Sequence, residues 1–292
     1  MTDGIDGQEF VNLVEFMGEP QELRGSMKTI VPTPLDAADQ SLRGKVALIT
    51  GGGSGLGKAY AQAMAKLGIK VAIAGRDPRK LYDVERLIHR EGGEGRAFIM
   101  DVSDFDSVRK AVESIEACMG PIEVLVNNAA TEGPVMPWWQ AVNSDEWEKT
   151  LLINYEGTLY CTALVSERMH LRNRGRVVNI ASSTVVSRPE PLAVYAYSKW
   201  KVVQLTRQLA KGFGESGLSI FAVHPGTIWT PMTERLKDKV PTVKHVFDTH
   251  QDAKEESAVE LILYLTSGAA NHLSGEFICR KEGTVVDFGE GL

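Results

Sequence analysis

The chain is short of several things, and each shortage closes off a class of protein. It has three cysteines, Cys118, Cys161 and Cys279, which are far apart and odd in number, so no disulfide framework is expected. They read as buried free thiols in a reducing compartment. No apolar run approaches the roughly 20 residues needed to cross a bilayer. No Asn-x-Ser/Thr acceptor occurs. The first residues carry Asp3, Asp6 and Glu9 and lack a basic stretch followed by an apolar one, unlike a signal or transit peptide. The expected location is therefore cytoplasmic. Positive charge is not in excess: 32 Lys and Arg against 38 Asp and Glu leave a net −6. That argues against nucleic acid or an anionic membrane as the main partner. The six histidines are scattered without metal-ligand spacing, so no metal is expected.

What is present is ordinary in bulk. The 43% hydrophobic and 24% charged content of this 292-residue chain suits a soluble α/β domain with a substantial core. The informative stretch is Thr50-Gly51-Gly52-Gly53-Ser54-Gly55-Leu56-Gly57. The β-rich run Lys45–Ile49 enters it and a helical pattern over Gly55–Leu67 leaves it. Such glycines permit a tight turn and close approach to a pyrophosphate, and the helix N-terminus offers free N–H groups to that anion. The Lys-Ser/Thr end of a P-loop is missing.

Strand and helix patterns then alternate. Strands are predicted at Lys70–Ala74, Arg96–Met100, Glu123–Val126, Arg176–Ile180, Leu218–Val223 and Gly275–Arg280. Helices are predicted at Pro78–Arg90, Phe105–Met119, Ser144–Leu171, Leu192–Glu215 and Ala253–Leu265. This alternation predicts a doubly wound parallel sheet of Rossmann type, helices on both faces, in a single domain over 43–292. Residues 1–42 read as an extension, with an amphipathic pattern from Phe10 to Met17 and an extended crossing at Pro32 and Pro34. The polar segment Pro231–Asp252 reads as a mobile lid, with the lid region spanning about 229–252.

Ligands bind such sheets at the carboxyl ends of the strands. There the chain places small, polar or turn-forming residues: the glycine turn, Gly75-Arg76, Asp101-Val102, Asn127-Asn128-Ala129-Ala130, Ala181-Ser182-Ser183 and His224-Pro225-Gly226. Early in the helix after the fifth strand, Tyr195 and Lys199 stand at i and i+4, on one helical face. Tyr197 and Lys201 repeat that spacing. A phenol acting as base near neutrality needs its pKa lowered by roughly three units, or about 4 kcal/mol.

From Gly44 nearly to the end, the chain resembles the short-chain dehydrogenase/reductase family. The matching residues are Thr50-Gly51-x-x-x-Gly55-x-Gly57, Asn127-Asn128-Ala129, Asn154, Ser182, Tyr195-x-x-x-Lys199 and Pro225-Gly226, in that order. The resemblance settles the two pairs in favour of Tyr195 and Lys199. It implies an NAD(P)-dependent oxidoreductase interconverting a carbonyl and a secondary alcohol. Tyr195 would be acid/base, Ser182 would hydrogen-bond the substrate oxygen, and Lys199 would hold the nicotinamide ribose and lower the Tyr195 pKa. Asn154 would anchor a water linked to Lys199. The cofactor would lie on Thr50, Gly51, Gly53, Ser54, Gly55, Leu56 and Gly57, with Asp101 and Val102 flanking the adenine. Asn128 and Ala129 would sit by the adenosine ribose. Pro225, Gly226, Ile228 and Thr230 would border the nicotinamide, beside Tyr195 and Lys199. An enoyl or dienoyl reductase, or a non-catalytic dinucleotide-binding regulator, stands as the alternative.

After the second strand of the domain, Gly75 occupies the place of the carboxylate that binds the ribose hydroxyls in NAD users, and Arg76 follows. A guanidinium there suits a 2′-phosphate, so NADP(H) is expected over NAD(H). Trp138, Trp139, Trp229, Met232 and Val185 suggest an apolar site for a bulky or cyclic compound, bordered by Thr131–Trp139 and Trp229–Asp252. His224 reads as structural. The family resemblance of the two long helices beside the fifth strand implies a homodimer or homotetramer. The chain departs from the family after Gly275, where it reads Arg280-Lys281-Glu282-Gly283. That bears on the C-terminal part of the pocket and on subunit contacts.

Overall fold

A computed structural model describes residues 28–30, 42–187, 189–214, 216–250, 253–281 and 284–287. The amphipathic stretch Phe10–Met17 and the Pro32–Pro34 crossing lie outside them, as does the end of the lid at Asp252.

The strands are β1 (Lys28–Ile30), β2 (Val46–Thr50), β3 (Lys70–Gly75), β4 (Gly95–Ile99), β5 (Ile122–Asn127), β6 (Gly175–Ile180), β7 (Leu218–His224), β8 (Phe277–Lys281) and β9 (Thr284–Asp287). They form one sheet in the order β1-β9-β8-β7-β6-β5-β2-β3-β4. From β4 to β8 every pairing is parallel, the doubly wound order of a Rossmann-type fold. The order reverses at β2, which pairs with β3 on one side and β5 on the other. The crevice between the carboxyl ends of β2 and β5 is the ligand position such a sheet creates.

Alternation within each strand builds two cores. Ala47 and Ile49 of β2 face one way, Val46 and Leu48 the other. On the first face lie α1 (Gly55–Lys66), α2 (Pro78–Arg90) and α11 (Glu255–Ser267), through Tyr60, Met64, Leu81, Val84, Leu261 and Leu265. On the second lie α3 (Phe105–Met119) and α6 (Gly157–Leu171), through Val108, Val112, Ile115, Cys161 and Val165. Both faces are covered, so β2 is buried along its whole length and its sequence is apolar from Val46 to Ile49. Each such side chain contributes about 1.5–3 kcal/mol by burial.

A buried amide network ties the second layer to the sheet. Asn127 Nδ2 donates to Thr162 Oγ1 of α6 and to Asn179 Oδ1 of β6. Asn179 Nδ2 donates to Thr206 Oγ1 of α8 (Ala193–Phe213), the helix that carries Tyr195 and Lys199.

Three elements differ from expectation. The helix expected over Ser144–Leu171 is α5 (Asp145–Leu151), a π-helical turn (Leu152–Glu156) and then α6. The lid holds two helices, α9 (Pro231–Leu236) and α10 (Pro241–Asp248). Pro231 and Pro241 stand in the first turn of each helix, where a missing N–H costs nothing. Thr230 caps α9 in a capping box with Thr233. Finally, the parallel sheet does not end at β8. The two residues between β8 and β9 cannot make a parallel crossover, so β9 returns antiparallel (Arg280↔Val285), and β1 pairs outside it. Short helices α4 (Trp138–Ala141) and α7 (Thr184–Ser187) lie in the loops after β5 and β6.

Candidate active site

A cleft of about 910 Å³ opens over the carboxyl ends of the strands. Its floor is the glycine turn, stitched to the end of β5. Thr50 Oγ1 accepts the Asn128 and Ala129 N–H groups, each at 3.0 Å. Asn128 Nδ2 donates to Thr50 O and Gly51 O. Gly51 takes φ +67° in the left-handed region. Gly57 packs so closely that a Cβ would stand 2.4 Å from Gly51 O and 2.6 Å from Asn128 Nδ2.

Beyond the turn, α1 starts with no acidic residue in its first turn, and the Ser54 hydroxyl makes no capping bond. Helices α2 and α3 differ, being capped by the Asp77 and Asp104 carboxylates. The first-turn N–H groups of α1 thus face the cleft uncapped, a cradle that fits a pyrophosphate. Gly75, Arg76, Asp101 and Val102 continue the lining. Asp77, the acid nearest the end of β3, is committed to the helix, accepting the Arg79 and Lys80 N–H groups.

At the other end, Ser182, Tyr195 and Lys199 meet. Ser182 leaves β6, and its Oγ accepts the Thr184 N–H at 3.2 Å. Lys199 is 2% exposed, and its Nζ donates to the Ile180 carbonyl at 2.7 Å. That Nζ also lies 5.8 Å from the centre of the Tyr195 ring. Burial brings the Lys199 ammonium down to about 8. Burial pushes the Tyr195 phenol up to about 12; a hydrogen bond with Ser182 draws it back, and the Glu132 charge adds to the rise. The protein's own groups therefore favour a protonated phenol. The lowering of the Tyr195 phenol expected from Lys199 is not found: the groups that act on it are Ser182 and Glu132, and burial dominates both. His224 is pushed down to about 4 by burial, so it is neutral near neutral pH.

Most residues singled out in the sequence line the cleft: Gly51, Ser54, Gly55, Leu56, Arg76, Asp101, Val102, Asn128, Ala129, Ser182, Tyr195, Lys199, Pro225, Gly226, Ile228 and Thr230. Thr50, Gly57 and Asn154 are buried beneath the lining, and Gly53, partly exposed, lies beside it. Thr50 and Gly57 shape the turn, and Gly53 packs against Lys80 and Leu81. Asn154, fully buried in the π-helical turn, clamps Thr131 by accepting its N–H at 2.8 Å and donating to its O at 2.9 Å. It also donates to Ser198 Oγ, which donates to Tyr195 O.

The apolar set is corrected more sharply. Of Trp138, Trp139, Trp229, Met232 and Val185, only Met232 lines the cleft. Trp138 and Trp139 are about half exposed, Trp229 packs edge-on against Phe247, and Val185 is core. The segment Thr131–Trp139 does not line it; the lid does, through Met232, Leu236, Val243 and Val246. Lys80, Arg235 and His245 also line it and were not foreseen. Lys80 had a signal, one helical turn after Arg76. Of the cysteines, Cys161 and Cys279 are buried but Cys118 is exposed; all three are free. Among the described residues no cluster of three or more His, Cys, Asp or Glu could hold a metal, and no helix is long and apolar enough to cross a membrane.

A glycine cradle at the switch point, with Ser, Tyr and Lys at its far end, defines a dinucleotide-dependent oxidoreductase. Residues 45–241 match the family model described as short chain dehydrogenase. The 3-oxoacyl-acyl-carrier-protein reductase of Thermotoga maritima is 31% identical over 248 residues, covering 84% of this chain and 99% of that protein. The 2,3-dihydro-2,3-dihydroxybenzoate dehydrogenase of Bacillus subtilis is 29% identical over 85% of this chain and 98% of its own length. Among solved structures, levodione reductase superposes with TM-score 0.77 at 28% identity, covering 83% of this chain and 98% of that one. An actinorhodin polyketide ketoreductase with NADPH superposes with TM-score 0.76 at 26% identity, covering 84% and 97%. The chain belongs to the short-chain dehydrogenase family. It is an NAD(P)-dependent oxidoreductase of the alcohol/carbonyl class.

Proposed function

We propose that the protein interconverts a neutral ketone and a secondary alcohol with NADP(H), using Tyr195 as acid/base. The observation that carries the reading is the convergence of Ser182, Tyr195 and Lys199 at one end of a cleft whose other end is the glycine cradle. The nicotinamide, when bound, supplies or accepts the hydride. In reduction Tyr195 Oη gives its proton to the substrate oxygen, and in oxidation it takes that proton back. The Ser182 hydroxyl stabilises charge developing on the same oxygen. The buried Lys199 ammonium, held by Ile180 O, keeps a positive charge beside the phenol.

For the cofactor, Arg76 and Lys80 line the cleft after β3, where Gly75 removes the acid and Asp77 is occupied as a helix cap. Two cations, with Asp77 held by its helix cap and by Lys80 at 4.0 Å, support a 2′-phosphate site. Arg76→Ala is expected to weaken NADPH binding by about ten- to a hundredfold and leave NADH unchanged. Fluorescence titration of both cofactors checks this, and an equal loss for both would sink the preference.

For the substrate, Leu192, Leu236 and Val240 form a small core with Met232, Val243 and Tyr195 packed on it. This wall supports an apolar or cyclic compound. A panel of cyclic ketones, secondary alcohols and acyl thioesters, followed by NADPH absorbance, tests the class. The reading includes self-association: Leu152, Tyr197 and Trp200 are exposed at the π-helical turn and α8, where Lys201 bridges the Tyr155 and Tyr197 rings. A homodimer or homotetramer would cover that face.

A further inference from the structure

Glu132 and Arg235 are 103 residues apart and form a two-pronged ion pair. Arg235 Nε donates to Oε1 at 2.5 Å, and a terminal guanidinium nitrogen, Nη2, donates to Oε2 at 3.0 Å. The carboxylate is held from below. It follows Thr131, whose N–H and carbonyl are both bound by the buried Asn154. Asn154 in turn bonds Ser198, which bonds Tyr195 O. The guanidinium belongs to α9, whose start is fastened separately, by the Thr230 capping box and by Thr233 Oγ1 donating to Ile228 O at 2.8 Å. The second lid helix, α10, has no buried residue. The lid is thus held at the start of α9, at Leu236 and Val240 in the cluster with Leu192, and at Arg235, while α10 touches the body through Val243 and Phe247 without burying a residue.

We propose that Glu132 and Arg235 are a positioning latch for the reaction: Arg235 fastens the lid to the loop after β5 and in doing so neutralises the Glu132 carboxylate. The purpose of that closure rests on the substrate reading above; the latch itself does not. The Glu132 side chain is 17% exposed and that of Arg235 55%, so only the carboxylate is shielded, and the two parallel hydrogen bonds fix one geometry for the pair. Glu132 is also the carboxylate whose charge opposes ionisation of Tyr195. One contact therefore closes the lid and mutes a charge that acts on the acid/base.

The groups acting on Glu132 are Arg235 of α9, Lys239 between the lid helices, and Tyr195 of α8. Burial alone would raise its carboxyl, but the Arg235 hydrogen bond, a hydrogen bond from Glu132's own backbone, and the Arg235 and Lys239 charges hold it below the usual range. A carboxylate lowered in the folded state stabilises at pH above its ordinary value, and that stability is lost as pH falls through the folded value. The latch therefore opens in acid.

Hydrogen exchange of the full chain, read by mass spectrometry over residues 231–240, tests this without turnover and so fails separately from the Tyr195 assignment. Glu132→Gln and Arg235→Gln are each expected to speed exchange there about tenfold, with residues 122–127 unchanged. The double exchange of Glu132→Arg with Arg235→Glu is expected to restore protection. After correction for intrinsic rates, the wild-type lid loses protection on acidification and Glu132→Gln shows no such step. Wild-type exchange in both single variants, or equal acceleration at 122–127, would overturn the proposal.

Discussion

Tyr195→Phe is expected to lower turnover by about a thousandfold while NADPH binding stays within a factor of about three. The variant removes only the Oη that moves the proton. The ring, which packs on the Leu192–Leu236–Val240 cluster, remains. The pH dependence follows from the same atom. Burial holds the phenol at about 12, so Tyr195 is protonated through the neutral range. Ketone reduction, which needs the proton, stays flat there and declines in alkali as the phenol ionises. Alcohol oxidation, which needs the phenolate, climbs with pH. Opposite slopes in the two directions support the role. Near-normal turnover of Tyr195→Phe refutes it.

The second large effect is expected at Gly57. A methyl there would meet Gly51 O at 2.4 Å and Asn128 Nδ2 at 2.6 Å. Neither can yield freely, because Asn128 is the stitch between β2 and β5. Gly57→Ala is expected to displace the turn, weaken NADPH binding by about a hundredfold and cost about 1–3 kcal/mol of stability. Gly44→Ala supplies the control. Gly44 has φ +72° with nothing within 4 Å of its added methyl, so it carries backbone strain alone, about 1–2 kcal/mol. Denaturant unfolding with NADPH titration separates the two. Wild-type affinity in Gly57→Ala would show that close packing is not what shapes the cradle.

The sheet was legible because its strands are buried on both faces, which makes runs such as Val46–Ile49 apolar throughout and leaves few competing readings. The glycine turn was legible because it acts within one helical turn; the Tyr195–Lys199 spacing is as local, but Tyr197 and Lys201 share it, and the family resemblance chose between the pairs. What escaped depends on distant partners. The partners of Thr50, Gly57 and Asn154, which are Asn128 and Ala129, the Gly51 carbonyl, and Thr131 with Ser198, are set by the fold and not by local spacing. The tryptophans look like pocket lining, but hydrophobicity does not say which side of a loop faces inward. The Glu132–Arg235 pair has no local signature, since its members are on separate loops. The strands outside β8 depend on a pairing between residues 28–30 and 285–287 that no periodicity marks.

The stitch between Thr50 and Asn128 also sets a time order for folding. Its members are 78 residues apart, with two complete strand–helix units between them. Loop-closure entropy for that separation must be met before the turn has its shape. A nascent chain therefore carries the glycine motif long before it has a cradle, and only after β5 docks beside β2 do the Gly51 and Asn128 groups come to rest. A dinucleotide that binds the finished turn stabilises only the folded chain, in proportion to the logarithm of its concentration over its dissociation constant. The cofactor site doubles as the clasp that closes the central pair of strands.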